Sequence, residues 1–418
     1  MKIHFSLVFC VVLGIGAMSG ASAQDEKNPA ASITVLLMTT EIQVAADGSD
    51  TRVQHVEVRA GNDAGALQIG QIAIGFDSST QDLSVLEAHT LKADGKTYPV
   101  DTSAMYEQTP PGQTTLIING LRAKLIVFPQ FAAGDTAIYT VKTITRHPNF
   151  TGQFTYQELF PRTQAFNEVR ETITAPKSFP LYVESHDVEA SKREAGANVV
   201  YSWHYSAPKQ LSEVPVTFSP LDHIPRFFVS SFKDYSQLGQ AYAALAEPKR
   251  LVTPKIKALA DEIIAGTSDP KAQAQKLYEW VNSYIRYIGI ELGTGSFVPR
   301  DVDTIIATGY GDCKDHDILL QSLLKARGIE SQSILLNGGD SYSLTEVPTF
   351  ATIDHVITFV PQFNLYLDSS AGLAPFGILP LQEYGKPMVV ASSSAAQRTM
   401  PVLPPGIAKV TLKTVAAL

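Results

Sequence analysis

Cys313 is the side chain in this sequence with the clearest potential for chemistry. The chain holds two cysteines, Cys10 in an apolar N-terminal segment and Cys313 far downstream. Without the N-terminal segment, a single thiol remains that cannot form an internal disulfide. Such a leftover cysteine is either a buried apolar residue or a reactive nucleophile. The residues around Cys313 favour the nucleophile.

The sequence on either side of Cys313 predicts that it lies in the first turn of a helix. Gly311 and Asp312 form a helix-start signal, an apolar run begins at Ile318, and Gly328 supplies the stop. A thiolate attacks rather than a thiol, and the free amides and partial positive charge of a helix start favour the thiolate. Because Asp312 and the acidic residues that follow oppose this effect, we expect an imidazole to assist.

His355 and Asp368 are the candidate partners of that thiol. Residues 353–360 and 364–368 have the pattern of two antiparallel strands joined by a turn. A histidine on one strand and an aspartate on the next can lie side by side, because cross-strand neighbours have Cβ atoms about 5 Å apart. In this order Cys313 would attack an acyl carbon, His355 would form the ion pair and protonate the leaving amine, and Asp368 would fix the imidazole tautomer.

Each of these three residues also has an ordinary structural interpretation. Cys313 could be a structural residue, His355 a half-exposed strand histidine, and Asp368 a strand-end aspartate that starts the next turn. His316 is the rival imidazole, but a side chain three positions along a helix lies beside the sulfur rather than across a cleft from it. We therefore expect His316 to support the site.

The residues around Cys313 also have to be compared with known metal sites. Acidic residues and His316 crowd around Cys313, yet zinc sites usually pair Cys or His at short spacings, and calcium loops need a glycine and a final bidentate Glu. Neither template fits, so we expect no metal and no other cofactor.

The backbone amide of Cys313 is the natural first donor to an oxyanion, and residues 284–300 should supply the second.

The first half of the chain, which lies upstream of these residues, has the pattern of a β-sandwich. Short alternating runs fill residues 33–218, and turn signals such as Asp47-Gly48 and Asp94-Gly95 separate them. No convincing helix-length periodicity occurs there. This spacing of many short strands predicts an all-β sandwich domain over residues 31–225.

The second half changes to a helical pattern and carries the candidate site. Apolar residues recur at three-to-four spacing in three stretches, residues 235–246, 254–265 and 270–287. Two of them open with proline, which suits a first helical turn. We therefore predict a second, α+β domain over residues 230–390. Residues 391–418 are expected to form a C-terminal tail of strands.

The N-terminus has the pattern of an export signal. Lys2 precedes an apolar run over residues 5–18, which leads to the small residues Ala21-Ser22-Ala23. The run is shorter than the ~20 residues that cross a bilayer. We therefore expect a signal peptide over residues 1–23, no transmembrane anchor after its removal, and a periplasmic or secreted protein.

Taken together, these motifs resemble those of the transglutaminase-like superfamily. The resemblance rests on Gly311-Asp312-Cys313-Lys314-Asp315, on the helix end Leu-Lys-Ala-Arg-Gly-Ile, and on His355-Val356 and Leu367-Asp368-Ser369 in the family's order. It covers residues 265–380, and residues 31–225 look like the DUF3857-type β domain of bacterial exported proteins. The resemblance implies a papain-like fold and thiol acyl chemistry. One departure is Val356, where many members have an aromatic residue.

The resemblance implies a cysteine enzyme that acts on amide bonds through a thioester. It would be a peptidase or amidase, or would transfer acyl groups of protein glutamine, and its substrate would be a peptide or protein. The β domain could bind a partner in the cell envelope. The alternative is an inactive envelope-associated binding module that holds a peptide in the papain-like cleft. Because the net charge is -8 and basic clusters are lacking, we expect no nucleic-acid partner.

Overall fold

The computed structural model describes residues 32–109, 117–211, 223–291, 297–339, 342–372, 374–394 and 396–404. The predicted signal peptide over residues 1–23 lies outside this part of the chain, as does the predicted tail from residue 405 onward. Among the described helices, none combines the length and the hydrophobicity that a membrane crossing needs.

Strands dominate the N-terminal half. In chain order its elements are β1 (Ile33–Val44), β2 (Asp50–Ala60), α1 (Asp63–Ile69), β3 (Gln71–Asp77), β4 (Gln81–Leu91), β5 (Thr97–Pro99), β6 (Met105–Gln108), β7 (Ile117–Asn119), β8 (Leu121–Val127), β9 (Thr136–Thr145), β10 (Thr155–Leu159), β11 (Ala165–Pro176), β12 (Tyr182–His186), β13 (Glu189–Ala195), β14 (Asn198–Ala207) and β15 (Arg226–Ser230). The turn signal Asp47-Gly48 connects β1 to β2, and Asp94-Gly95 connects β4 to β5, as predicted.

An eight-stranded sheet with two smaller sheets packed against it forms this half. The large sheet has the order β13-β14-β11-β1-β2-β9-β4-β5, and the smaller ones have the orders β3-β8-β6 and β10-β15-β12. Side chains from all three sheets share one apolar core, which includes Met38 of β1, Ile72 of β3 and Phe227 of β15. The N-terminal half is therefore a layered β domain. Its strand β15 lies beyond residue 225.

Helix α1 is an element of this half that the sequence pattern did not predict. Asn62 caps it by accepting a hydrogen bond from the backbone N–H of Gly65 at 2.9 Å. Glycine is needed at position 65, because a Cβ there would lie 1.9 Å from the carbonyl oxygen of Ser32. A seven-residue helix is too short to show the repeated apolar spacing that identifies longer helices.

The C-terminal half combines helices with an antiparallel sheet. Its elements are α2 (Tyr235–Ala246), α3 (Pro254–Ile263), α4 (Pro270–Tyr284), β16 (Arg286–Tyr287), β17 (Gly289–Glu291), α5 (Val302–Thr308), β18 (Tyr310–Gly311), α6 (Cys313–Lys325), β19 (Gln332–Leu336), β20 (His355–Val360), β21 (Leu365–Leu367), β22 (Pro387–Ala391) and β23 (Ala396–Thr399). The main sheet has the order β21-β20-β19-β22-β23, and α6 packs on it within a shared apolar core. The predicted α+β class is confirmed.

Helix α4 ends at Tyr284, before the predicted end at residue 287. The backbone becomes extended at Ile285, and Arg286 and Tyr287 form β16, which pairs in parallel with β18 just ahead of the cysteine helix. Tertiary strand pairing here overrides the helical spacing of the sequence. Helix α3 likewise ends at Ile263 rather than at residue 265.

Contacts between described residues join the β domain to the C-terminal half. Strand β7 pairs in parallel with β17. Phe150, from the loop after β9, is buried in the C-terminal core, and its ring stacks on Phe350 with centroids 4.5 Å apart and approaches Phe297 at 5.0 Å. The backbone N–H of Val347 donates to Oε2 of Glu184 at 3.1 Å. The β domain therefore supports the wall of the C-terminal half that carries Phe350.

Candidate active site

Cys313 is the first residue of α6, as the helix-start pattern predicted. Asp312 caps this helix, because its carboxylate accepts a hydrogen bond from the backbone N–H of Asp315 at 3.3 Å. The predicted stop is also present, since Gly328 follows the last turn with a φ of 71°. Cys313 is partly exposed, and a partly exposed thiol beside free helix amides is the setting in which reactive cysteines occur.

Arg300 holds the segment that leads into α6. Its backbone N–H and its Nε each donate to the carboxylate of Asp315 at 2.8 Å, and its guanidinium also donates to the carbonyl of Tyr310. Gly311 has to be glycine, because a Cβ at this position would lie 2.6 Å from the Cβ of Asp315. These contacts fix the chain immediately before Cys313.

His355 and Asp368 meet at the hairpin of β20 and β21. The strands pair antiparallel, as predicted, and the register places Thr358 opposite Leu367. Nε2–H of His355 donates to Oδ2 of Asp368 at 3.1 Å. The backbone N–H and the hydroxyl of Ser370 donate to the other carboxylate oxygen, Oδ1, at 2.9 and 2.6 Å. Asp368 is thus held at both oxygens, and the Nδ1 atom of His355 remains for the cysteine.

The surroundings of His355 favour its imidazolium form. Burial by itself lowers the pKa of His355, but the charge of Asp368 and the hydrogen bond to it raise this pKa, as do a hydrogen bond and a charge from Cys313. The net result is a His355 pKa well above its ordinary value. Burial raises the pKa of Asp368, but the charge and hydrogen bond of His355 outweigh burial and lower it. These shifts favour an imidazolium at His355 backed by a carboxylate at Asp368.

Cys313 and His355 both line a pocket with a volume of about 60 Å³. The wall of this pocket is largely aromatic and apolar, and it includes Tyr242, Tyr287, Phe297, Leu335, Phe350 and Val356. Tyr287 and Gly289 come from the stretch that was expected to supply a second oxyanion donor, so this stretch reaches the pocket. A pocket of this volume has room for a few groups the size of water.

A buried ion pair borders the same pocket. Nζ of Lys314 donates to Oδ2 of Asp312, and both side chains are 5% exposed. Burial lowers the pKa of Lys314, but the charges of Asp312 and Cys313 raise it, with a net rise. Lys314 is therefore a cation next to Cys313 in the chain, and its charge is largely balanced by Asp312.

His316 supports the site from the inner face of α6. Its ring is buried, and Nδ1–H donates to the carbonyl of Ser369 at 2.9 Å, next to Asp368 in the chain. Burial lowers the pKa of His316 to about 4. The ring is therefore neutral at physiological pH. These features favour His355 over His316 as the partner of Cys313.

Asp317 ties the cysteine helix to the strands that carry the histidine. Its carboxylate accepts hydrogen bonds from Nε2 of Gln321 at 2.9 Å, from Oγ of Ser333 on β19 at 2.5 Å, and from Oγ1 of Thr358 on β20 at 2.7 Å. Burial raises the pKa of Asp317 to about 6. Because its partners lie on α6, β19 and β20, this network helps to set the position of α6 relative to the sheet.

Replacing Asp317 with alanine is expected to lower the free energy of unfolding by about 3 kcal/mol near pH 7. The change leaves the buried hydroxyls of Ser333 and Thr358 without this acceptor, while Nε2 of Gln321 still donates to Oγ of Ser333. An unsatisfied buried group costs about 1 to 3 kcal/mol. Urea denaturation measures the loss, with Glu262→Ala on the exposed face of α3 as the control. A loss below about 1 kcal/mol would show that the network contributes little to holding α6.

Glu383 lies beside His355 and Asp368, although no sequence pattern predicts it there. It lies between β21 and β22, it is 2% exposed, and its Oε1 lies 3.7 Å from Nε2 of His355. One possible ligand atom from each of His355, Asp368 and Glu383 falls within 4.8 Å of the other two, a spacing that a metal ion could use. Burial and the charge of Asp368 raise the pKa of Glu383 to about 8. This carboxyl is therefore mostly neutral at physiological pH.

Two family models match the sequence. Residues 46–211 match DUF3857, a domain of unknown function with a solved structure, and residues 257–350 match the transglutaminase-like superfamily. The second match contains Cys313 and ends before His355 and Asp368. A search of curated proteins found no match.

A solved structure from Parabacteroides distasonis, provisionally assigned as a protease, is similar across both halves. It has 19% sequence identity and a TM-score of 0.72, and the superposition covers 90% of this chain and 73% of that one. At this identity the similarity supports the fold.

A provisionally assigned cysteine protease from Cytophaga hutchinsonii has 10% identity and a TM-score of 0.25 over 58% of this chain and 75% of that one. An M1 zinc metallopeptidase from Deinococcus radiodurans has 10% identity and a TM-score of 0.27 over 47% and 42%. Neither of these last two scores supports a common fold.

Proposed function

The chain joins a DUF3857 domain to a transglutaminase-like domain, and from this premise we propose that it is a cysteine enzyme that acts on amide bonds of peptides or proteins. Cys313 is the nucleophile, His355 is the general acid and base, and Asp368 orients the imidazole. The observation that carries the proposal is the hydrogen bond from Nε2 of His355 to Asp368. It leaves Nδ1 of the ring available to the thiol at the start of α6.

The acylation step begins from the thiolate–imidazolium pair. The sulfur of Cys313 adds to the carbonyl carbon of the amide, and the backbone N–H at the helix start donates to the oxyanion. The imidazolium of His355 then gives its Nδ1 proton to the leaving amine. The C–N bond breaks, and a thioester remains on Cys313. The carboxylate of Asp368 keeps the ring in place during this transfer.

The deacylation step uses the same residues in reverse. Neutral His355 takes a proton from an attacking water or amine, which adds to the thioester carbonyl. The sulfur of Cys313 leaves as a thiolate, so the ion pair is restored. Water yields a carboxylic acid and makes the protein a peptidase or amidase. A primary amine yields a new amide and makes it an acyltransferase.

The pocket beside Cys313 bears on what can be bound. Its small volume and its wall of Tyr287, Phe297 and Phe350 suit a small apolar group next to the reacting carbonyl. A protein that only held a peptide would need a cleft, but not the proton-transfer arrangement of His355 and Asp368. That arrangement supports the enzyme over the alternative of an inactive binding module.

Acetylation by p-nitrophenyl acetate tests the proposed chemistry without knowledge of the natural substrate. We expect a burst of p-nitrophenolate, stoichiometric with enzyme, and an acetyl group on the peptide that contains Cys313 in mass spectra. The Cys313→Ala variant should show neither signal. Addition of a fluorescent primary amine then separates hydrolysis from transfer. Absence of both burst and adduct from the wild type would favour the binding module.

We further propose that the protein is exported to the periplasm or beyond the cell, where its β domain binds a partner in the envelope. The charged and apolar pattern of residues 1–23, which ends in Ala21-Ser22-Ala23, supports this location. Intact mass of the protein from fractionated cells tests it. A chain that begins at Gln24 in the periplasmic or extracellular fraction is expected, and a full-length chain in the cytoplasm would contradict it.

A further inference from the structure

Glu383 is a buried acid next to the proposed triad that the steps above do not use. It ends a short 3₁₀ turn, Leu381–Glu383, ahead of β22, and its side chain is 3% exposed. Its Oε1 lies 3.7 Å from Nε2 of His355. One carboxyl oxygen of Glu383 and one of Asp368 lie within 4.8 Å of each other. Its other oxygen, Oε2, is buried and has no hydrogen-bond partner in the described part of the chain.

The groups around Glu383 decide which of the two carboxyls carries a proton. Asp368 accepts hydrogen bonds from His355 and from two donors of Ser370, whereas Oε2 of Glu383 finds no donor among the described residues. The charge of Lys386 has a small opposing effect on Glu383, and Nζ of Lys386 donates to the carbonyls of Asn337 and Gly339. Two adjacent buried carboxyls do not both ionise readily. The proton therefore belongs on Glu383.

The remaining titratable neighbour agrees with this assignment. Tyr278 of α4 lies near both acids, and burial together with the charge of Asp368 raises its pKa above the ordinary range, so the phenol is neutral. Burial, then the charge of Asp368, raises the pKa of Glu383 to about 8, while the charges of His355 and Lys386 lower it. A hydrogen bond between Glu383 and Asp368 contributes to the shifts of both acids.

We propose that Glu383 is a positioning residue of this site: as a neutral acid it donates its O–H to the carboxylate of Asp368 and holds that carboxylate against Nε2 of His355. The inference rests on the proposed function of Cys313, His355 and Asp368. Glu383 touches no substrate, and no proton leaves it during turnover. It keeps Asp368 anionic in a buried place, and that anion keeps His355 charged beside the sulfur.

Two substitutions separate this role from simple packing. Glu383→Gln retains a neutral side chain of the same length with N–H donors for Asp368. Glu383→Leu fills similar space and removes the donor. The probe is iodoacetamide at pH 6.5, with alkylation of the Cys313 peptide followed by mass spectrometry. We expect the Gln variant to react within about threefold of wild type, and the Leu variant to react about tenfold more slowly, the effect of one lost hydrogen bond to a charged group.

Two results would overturn the positioning role. Either the Leu variant reacts as fast as wild type, so that Asp368 needs no support, or the Gln variant is as slow as the Leu variant, so that a neutral donor is not what the site requires. The His355→Ala variant distinguishes a failure of the positioning role of Glu383 from a failure of the proposed function. If wild type reacts no faster than His355→Ala at pH 6.5, the ion pair and the proposed function fail, whatever Glu383 does.

A second readout tests the proton on Glu383 directly and needs no reactive cysteine. Because the pKa of Glu383 is raised from 4.5 to about 8 by folding, its contribution to stability is fully present below about pH 4.5 and is lost as pH rises through about 8. The difference in Tm between wild type and Glu383→Gln should therefore fall from pH 5 to pH 9. A constant difference over this range would mean that Glu383 is already ionised and would overturn the proposal. This comparison also holds if the Leu variant fails to fold.

Discussion

Replacing His355 with alanine is expected to slow acetylation of Cys313 by p-nitrophenyl acetate by roughly 10³-fold near pH 7. In the proposed mechanism the charged ring of His355 keeps the sulfur as a thiolate, and the pKa of this ring is raised well above the ordinary value by Asp368 despite burial. Without the ring, the helix start and Lys314 still favour the thiolate, but the charge of Lys314 is largely balanced by Asp312. The rate of p-nitrophenolate release between pH 6 and pH 9 measures the effect.

The control for this variant is His147→Ala, which removes an exposed histidine from the β domain and should leave the rate unchanged. His316→Ala gives a second comparison, because it removes the buried neutral ring that donates to Ser369. We expect it to lower stability and to reduce the rate much less than His355→Ala. A loss of threefold or less in His355→Ala would contradict the role of this ring.

Replacing Asp368 with asparagine is expected to reduce the same rate by about 10²- to 10³-fold at pH 7, and by no more than the loss of His355 itself, because Asp368 acts through that ring. Asparagine keeps the size of the side chain but not its charge. Burial then lowers the His355 pKa, and of the groups that raise it only Cys313 remains, so we expect the ring to become neutral and the ion pair to be lost. The rate should recover toward pH 9, where the thiol ionises without help.

The shape of the pH profile distinguishes this account from a loss of folding. Asp303→Asn, on the exposed face of α5, is the matched control and should retain the wild-type profile. Circular dichroism should show folded protein for both variants. A profile for Asp368→Asn that follows the wild type, merely scaled down at every pH, would mean that Asp368 does not set the charge of His355.

The parts of the site that could be predicted from sequence are those with local signals. Asp312 as a helix cap and Gly328 as a helix stop place Cys313 at the start of α6, because caps depend on residues a few positions away. The turn after Val360 similarly predicts the hairpin that brings His355 to Asp368. Alternation and Asp-Gly turns predict the β domain for the same reason.

The parts that could not be predicted depend on contacts between distant segments. Glu383 lies near His355 because the segment between β21 and β22 folds back onto the site. No rule of sequence spacing predicts that contact. Asp317 has the appearance of a charged helix residue, yet it is buried under Ser333 and Thr358. Residues 286–287 follow a helical pattern and form β16 instead, because β18 offers a strand to pair with. Sequence patterns record local preference, and these positions are decided by packing.

The pairing of the two domains is likewise invisible in the sequence. Phe150 lies in a loop of the β domain and stacks on Phe350, a residue of the pocket wall beside Cys313. An isolated phenylalanine between polar residues carries no signal for such a contact. The structure therefore links the β domain physically to the pocket. Substitutions at Phe150 are expected to affect the pocket through its contact with Phe350.

The pH dependence of Cys313 alkylation by iodoacetamide, in wild type and in His355→Ala, tests most directly whether Cys313 and His355 form a thiolate–imidazolium ion pair. A thiolate–imidazolium pair predicts a rate in wild type that is already high at pH 6 and changes little up to pH 8. In His355→Ala the rate should be low at pH 6 and rise by about tenfold per pH unit, as for an ordinary thiol. Superimposable profiles, both rising in that way, would contradict the ion pair and with it the proposed enzyme.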